Sequence, residues 1–380
     1  MNAHTFGVSG RWRCGPTCPG LPTVRRQTGR NFMTFTRRLF MALTGATALV
    51  ATSVVAMAQE LPRNVRLVIG STSTGGDTYQ NSAIVADALA EHLGINIKVD
   101  AVGATEAFKA LERDSRGTTL MIFHDQSYLG HLYGRQGYED PFAKYKIGPT
   151  VAINPGNAYL APKGSKYSSM EAILAAAEAG EKVRVAIQPG GVSEIGFSAM
   201  KNAAKLRSPG SEENIVAVNT GSQSDKNQAM WDDLADVING SIQANEQFTQ
   251  LPDDDRKAME FVWITARPAT LEQAPEQGMG DTTRDELLKY ASPATSVPLS
   301  ESDDFTFDKE FFFLFNPEMD DAIVKQIDTA LAEIFEAGEI QKRQKESFFI
   351  PNFLPSDEAR AHLESKSETY KKVISDITGG

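Results

Sequence analysis

The sequence predicts an α/β protein of two lobes, each a mostly parallel sheet flanked by helices. Three observations carry that expectation. Short apolar strands alternate with helix-length segments from about residue 66, and the same alternation restarts near residue 151. The loops that leave those strands are rich in glycine and serine. After residue 58 no apolar stretch approaches the roughly 20 residues that a membrane span needs.

The first recognisable segment is a leader. Arg37 and Arg38 precede an uncharged, small-residue run from Leu39 to about Val55, and Ala56-Met57-Ala58 follows as an A-x-A cleavage pattern. A positive start, an apolar middle and a small-residue end make a secretory signal at 33–58, cut between Ala58 and Gln59. The competing reading, a membrane anchor, fits poorly with so short a run and a cleavage site. Thr36-Arg37-Arg38 with Phe40-Met41 resembles a twin-arginine signal, though a Sec signal is also compatible. Residues 1–32 show no apolar periodicity, so translation is expected to start at Met33, with the upstream part an over-extended gene model. Both cysteines, Cys14 and Cys18, lie there, so the mature chain is expected to have no disulfide and no cysteine metal site. Residues 1–58 hold seven Arg and no other charged residue, so cleavage takes the net charge from −11 to −18. Such an acidic exported chain is a poor candidate for nucleic acid or anionic membranes.

The first lobe is expected at 59–150, rejoined by 248–380. Arg66 to Gly70 reads as a strand, Asp77 as the cap of a helix through Leu89, Ile95 to Val99 as a strand, Gly103 as the start of a helix to Arg113, and Thr119 to Phe123 as a third strand. The order implies right-handed crossovers and parallel pairing. The second lobe is expected at 151–247. Ala158 to Ala161 is extended, Ser168 or Ser169 caps a helix stopped by Gly180, and Val183 to Ile187 is a strand. A helix from Glu194, a strand from Asn214, a helix from Gln228 to Ala235 and a strand at Val237 to Ile242 follow. The chain after Phe261 is expected to return to the first lobe, with a strand at Phe311 to Phe315 and helices at Met319 to Phe335 and Ser356 to Ile377. Apolar Ile323, Ile327, Ala330, Leu331 and Ile334 share one face of the former.

Catalytic motifs are scarce. H-E-x-x-H, C-x-x-C and G-x-S-x-G are absent, and Gly191-Val192-Ser193 lacks the flanks of a nucleophile elbow, so Ser193 reads as a helix cap. His92 and His362 fall on helices of ordinary surface character. The loops are more informative. Ser73-Thr74-Gly75-Gly76-Asp77, Gly103-Ala104-Thr105 and Gln188-Pro189-Gly190-Gly191-Val192-Ser193 each follow a strand and open a helix; Asn219-Thr220-Gly221-Ser222 also follows a strand. Ligands of open α/β sheets bind at the carboxyl ends of strands, and helix N-termini accept anions without a basic side chain. Two such pairs would face each other across a cleft. His124, Asp125 and Gln126 follow the third strand and are further candidates, suited to an amine-bearing or hydroxylated ligand; Gln243 and Asn245, at the end of a second-lobe strand, lie in the cleft or at the hinge.

These loops and their frames resemble those of the substrate-binding proteins of the tripartite tricarboxylate transporters, the TctC or Bug receptors. Arg66-Leu67-Val68-Ile69 with Gly75-Gly76-Asp77 is similar to that family's first strand and glycine-glycine-x-x-aspartate loop, Val102-Gly103-Ala104 to its proline-glycine-alanine turn, and Asp114 to Leu120 to its proline-aspartate-glycine-tyrosine-threonine-leucine segment. Gly164 to Met170, Ala186 to Ser193, Val218 to Ser222 and Asn239 to Ile242 stand where the family has its second-lobe landmarks. There are departures: Asp77 follows the two glycines without a spacer, Gly103 lacks its proline, Gln188-Pro189-Gly190 differs from the usual second-lobe loop, and Asn219-Thr220-Gly221 replaces proline-tyrosine-lysine.

The resemblance implies a Venus-flytrap periplasmic binding protein, type II-like, that captures a small di- or tricarboxylate or related acid and delivers it to a permease of one large and one small subunit. Backbone amides of the four loops would hold the ligand without need of a buried Arg, closure would turn on two or three crossing strands, and no cofactor, metal or catalytic residue would be involved. A monomer free in the periplasm is expected. A periplasmic sensor feeding a kinase or chemoreceptor uses the same fold, and a hydrolase would need Ser193 or His124 for turnover.

Overall fold

The computed structural model describes residues 60–378, with side chains through Ser375. The leader, residues 1–32 and the expected cut at Ala58 and Gln59 lie outside the described residues. The chain opens with β1 (Asn64–Ile69), α1 (Asp77–Leu93), β2 (Asn96–Ala101), α2 (Ala104–Glu112) and β3 (Thr119–His124). β1 lies in parallel between β2 and β3, with Leu67 opposite both Val99 and Leu120. Leu67 to Ile69 and Leu120 to Phe123 are buried on both faces. Such unbroken apolar runs belong to parallel strands covered by helices on both sides. After α3 (Gln126–Leu132) and α4 (Pro141–Lys144), β4 (Lys146–Asn154) ends this first pass through the lobe.

The chain then crosses to a second sheet. β5 (Ala158–Pro162), α5 (Met170–Glu178), β6 (Val183–Ile187), α6 (Val192–Arg207), β7 (Ile215–Asn219), α7 (Gln223–Trp231), β8 (Val237–Gly240), α8 (Ile242–Thr249) and β9 (Met259–Ile264) follow. Ser169 caps α5 by accepting from the Ala172 amide, as its position predicted. The five strands are ordered β7-β6-β8-β5-β9. β6 runs parallel to β7 and β8, and β5 runs antiparallel to β8 and β9.

Here the structure departs from the sequence expectation in three places. First, Phe261 does not return to the first lobe. β9 joins the second sheet beside β5, Trp263 stacks on Tyr159 with ring centroids 5.1 Å apart, and Leu271, Met279, Leu287 and Ala291 pack on the same lobe. An apolar strand carries no mark of which sheet will receive it. Second, the residues after Gly240 form α8 rather than a strand, because Ser241 accepts a hydrogen bond from the Ala244 amide and starts a helix. Third, α7 begins at Gln223, five residues earlier than expected, because Ser222 caps it.

α9 (Pro268–Leu271) and α10 (Arg284–Leu288) lead to the real return at β10 (Lys309–Phe315). α11 (Asp321–Ala337), α12 (Glu339–Glu346), β11 (Ile350–Leu354) and α13 (Ser356–Thr378) complete the chain. The first sheet is ordered β11-β4-β10-β3-β1-β2. Both sheets are therefore mixed: three parallel strands form the expected core, and antiparallel strands extend it. β10 is buried along its whole length, and the predicted face of α11 is buried against it.

Two crossings join the lobes side by side. Gly156 holds φ at +71°, and a Cβ there would stand 2.3 Å from the Ala266 nitrogen, so only glycine fits. Thr265 stitches the crossings. Its amide donates to the Asn157 carbonyl at 2.9 Å, its hydroxyl donates to the Phe307 carbonyl at 2.9 Å, and its carbonyl accepts from the Phe307 amide at 2.7 Å. α13 adds a strap: Leu363, Tyr370, Val373 and Ile374 join one apolar cluster with Phe123 and Tyr128 of the first lobe and Ile195 and Phe197 of the second.

Candidate functional site

α1 starts at the carboxyl end of β1. Gly76 precedes it and offers no side-chain cap, and Asp77 is its first residue rather than its cap. The Asp77 carboxylate is held from three directions. Oδ1 accepts from the Thr78 amide at 2.7 Å, while Oδ2 accepts from Asn154 Nδ2 and from the Lys309 ammonium. Burial works to raise its pKa, but Lys309 and His124 outweigh it and bring it to about 2. Lys309 heads β10 and is buried. His124, at the end of β3, is held neutral, first by burial and then by Lys309; its Nδ1 accepts from the Gln126 amide at 3.2 Å.

The second lobe faces this group with a different set. Lys226, on α7, is 6% exposed, and its ammonium donates to Asn239 Oδ1 at 3.2 Å. That is its one hydrogen-bond partner among the described residues. Asn239 Oδ1 also accepts from the Ser193 hydroxyl at 2.8 Å. Burial first, and Lys309 across the cleft second, bring the Lys226 pKa down to about 7, with Asp77 opposing. The two lobes thus share one electrostatic neighbourhood.

The lobes also touch directly. Gln126 Nε2 donates to the Gly190 carbonyl at 2.5 Å, and Gln126 Oε1 accepts from the Val192 amide at 3.1 Å. A Cβ on Gly191 would fall 1.8 Å from that same Oε1, so glycine is what lets Gln126 in. Arg135 donates to the Pro189 carbonyl at 2.9 Å. On another edge Gln243 Nε2 donates to the Phe348 carbonyl at 3.0 Å.

The sequence-predicted residues therefore separate. Asp77, His124, Gln126, Gly190, Gly191, Val192 and Ser193 are brought together where the lobes meet. Several of the amides expected to hold ligand already have partners: Gln188 donates to Ser193 Oγ at 3.0 Å, Gly190 to Glu194, and Val192 to Gln126. Ser193 accepts from Gln188 and does not cap α6, whose cap position is Gly191. Ser73, Thr74 and Gly75 form an exposed loop that bonds to itself, the Gly75 amide donating to Ser73 Oγ at 3.3 Å. Gly103 precedes α2 without a side-chain cap, Ala104 begins that helix, and Thr105 is exposed. Asn219 and Gly221 are exposed, Thr220 bonds back to the Ile187 carbonyl, and Ser222 caps α7, so this loop's part is to aim Lys226 inward.

Two further predictions change place. Asp125 is fully buried on the far side of β3, paired with Lys366 of α13 at 2.6 Å and accepting from Tyr128 and from the Glu310 amide. It belongs to the strap rather than the cleft. His362, read as an ordinary surface residue, stands 2.8 Å from Glu310 in the same network. A cavity of about 310 Å³ beside it is lined by paired charges, Arg267 with Asp308 and His362 and Lys366 with Glu310. Gln243 and Asn245 sit on α8; Asn245 is buried and donates to the Ser241 carbonyl at 3.0 Å.

Sequence reasoning missed Asn154, Lys226, Asn239 and Lys309; it looked to backbone amides, and the structure adds two buried lysines beside them. A signal existed for one of them: Lys309 and Glu310 open a strand that is otherwise apolar, where each charge needs a partner. Among the described residues no group of His, Cys, Asp and Glu stands together as a metal site, and no helix is long and apolar enough to cross a membrane.

No protein-family model matches the chain, and no curated protein matches its sequence. Solved structures do match. The periplasmic binding protein BugD superimposes with a TM-score of 0.59 at 13% identity, covering 83% of this chain and 98% of that one. MatC of Rhodopseudomonas palustris, solved with bound malate, gives 0.60 at 14% identity over 83% and 100%. A further R. palustris protein, solved with adipate, gives 0.62 at 15% identity over 84% and 98%. The chain has the fold of these two-lobed periplasmic solute-binding proteins.

Proposed function

We propose that this protein is a periplasmic solute-binding protein of the tripartite tricarboxylate transporter type, which captures a small organic carboxylate between its lobes and hands it to a membrane permease. The observation that carries the reading is Lys226: a buried ammonium near the seam between the lobes, its hydrogen bond made to a neutral amide, in a fold whose solved structural neighbours include proteins with bound malate and adipate. A buried cation without a counterion is costly, and an anionic ligand relieves that cost. Closing the lobes around the ligand removes water and strengthens that attraction. The leader at 33–58 supports export, and the permease partner follows from the same family reading.

A thermal-shift screen of the exported protein tests this. Mono-, di- and tricarboxylates, aromatic acids, amino acids, sugars and polyamines are compared; a ligand that binds only the folded state raises the midpoint by mass action. Stabilisation by at least one small organic acid is expected. A response confined to neutral or cationic compounds would sink the carboxylate reading.

A further inference from the structure

Resting on that reading, we infer that the ligand carries one carboxylate, seated in the second lobe against Lys226 and Asn239, and presents a hydroxyl at its far end to Asp77 and Asn154 in the first. The second-lobe half offers only donors. Asn239 is 3% exposed, its Oδ1 is engaged by Ser193 and Lys226, and its Nδ2 is a buried donor that faces the Tyr159 hydroxyl. A buried ammonium bonded to a neutral amide oxygen, with no carboxylate against it among the described residues, asks for an anionic acceptor.

The first-lobe half is built the other way. The anion position at the start of α1, where a second ligand carboxylate would sit, is already filled by Asp77's own carboxylate, bonded to the Thr78 amide. Asp77 also cancels the charge of Lys309. Asn154 gives its Nδ2 to Asp77, which leaves its fully buried Oδ1 as an acceptor with no donor among the described residues. This half therefore has no net charge and an acceptor to satisfy. A ligand with one carboxylate and one hydroxyl neutralises Lys226 and supplies the missing donor. A diacid would leave one negative charge buried and unpaired, and an amino acid zwitterion would leave its own ammonium buried and uncompensated, each an expensive outcome.

The test is calorimetric titration of the exported protein at pH 7 with matched pairs: 4-hydroxybutyrate and succinate, 5-hydroxypentanoate and glutarate, 6-hydroxyhexanoate and adipate, with 4-aminobutyrate as a zwitterion. In the best-binding pair the hydroxy acid is expected to bind at least tenfold more tightly than the diacid and the zwitterion. Lys226→Met should weaken the hydroxy acid at least tenfold. Asp77→Asn exposes the charge of Lys309 and should move the ratio towards the diacid; because the ratio is internal to each variant, a loss of stability does not affect it. Tighter or equal binding of the diacid by the native protein overturns this inference alone. Binding of no member of any pair also overturns this inference, and the carboxylate reading beneath it falls only if the thermal-shift screen finds no organic acid either.

Discussion

Replacing Lys226 by Met removes an ammonium from a buried site while keeping a side chain of similar length. Lys226 is 6% exposed, so little solvent screening reduces the effect. A pKa lowered from 10.5 to about 7 means that the folded protein holds this proton less well than the unfolded chain. The sign follows. The folded state binds fewer protons, so the penalty is full below pH 7 and fades as pH rises towards 10.5. The displacement corresponds to about 5 kcal/mol at pH 6 and about 2 kcal/mol at pH 9. The lost hydrogen bond to Asn239 Oδ1 takes back about 1 kcal/mol. Lys226→Met should therefore be more stable than the native protein by roughly 4 kcal/mol at pH 6, narrowing to roughly 1 kcal/mol at pH 9. Urea unfolding of both proteins at pH 6, 7, 8 and 9 measures this. A stability difference that does not change with pH, or a variant less stable at pH 6, would refute the picture of an uncompensated buried ammonium.

Ligand binding should itself take up protons. A carboxylate against Lys226 raises a pKa that starts near 7, so at pH 8 calorimetry in buffers of different ionisation enthalpy should show uptake approaching one proton per ligand, with affinity falling as pH rises above 7. Gln126→Ala removes two hydrogen bonds that join the lobes; at about 0.5–1.5 kcal/mol per bond, ligand affinity measured by calorimetry should drop roughly 5–150-fold. Asp77→Asn leaves Lys309 buried without a counterion and should cost about 3–5 kcal/mol in urea unfolding at pH 7. Because the Asp77 pKa is depressed from 3.8 to about 2, its contribution is present above pH 3.8 and lost as pH falls towards 2, so the gap between the native protein and this variant should narrow by about 2.5 kcal/mol across that window.

The frame of the fold was legible because buried strands and amphipathic helices write their periods into the chain. Ile323, Ile327, Ala330, Leu331 and Ile334 could be assigned to one helix face from spacing alone, and they are buried. Phe261 to Ile264 could be read as a strand, but its sheet is decided by the stacking of Trp263 on Tyr159, a contact between residues more than a hundred positions apart. The site was half legible for a similar reason. Glycine loops after strands announce where a backbone can turn and approach, which brought Asp77, Gln126 and the 188–193 loop into view. They do not announce which amides their own side chains will satisfy. Glu194 and Gln126 take two of them. Lys226 and Asn239 stood on elements read only as framework, and their inward aim depends on the Ser222 cap and on the pairing of β8 with β5.

The central place of β10 sets an order on the making of this protein. All five strands of the second sheet lie between Ala158 and Ile264, so that sheet can be completed while synthesis continues. The first sheet cannot. β3 and β4 belong to one sheet only once Lys309 to Phe315 slots between them, roughly 155 residues downstream of β4. Until then the nascent chain carries apolar strands whose edges are open to pairing with the wrong partner. The late segment that finishes the sheet also delivers Lys309 to Asp77. A chain that stops short of it lacks both the last interior strand and the cation that quiets the first-lobe half of the cleft.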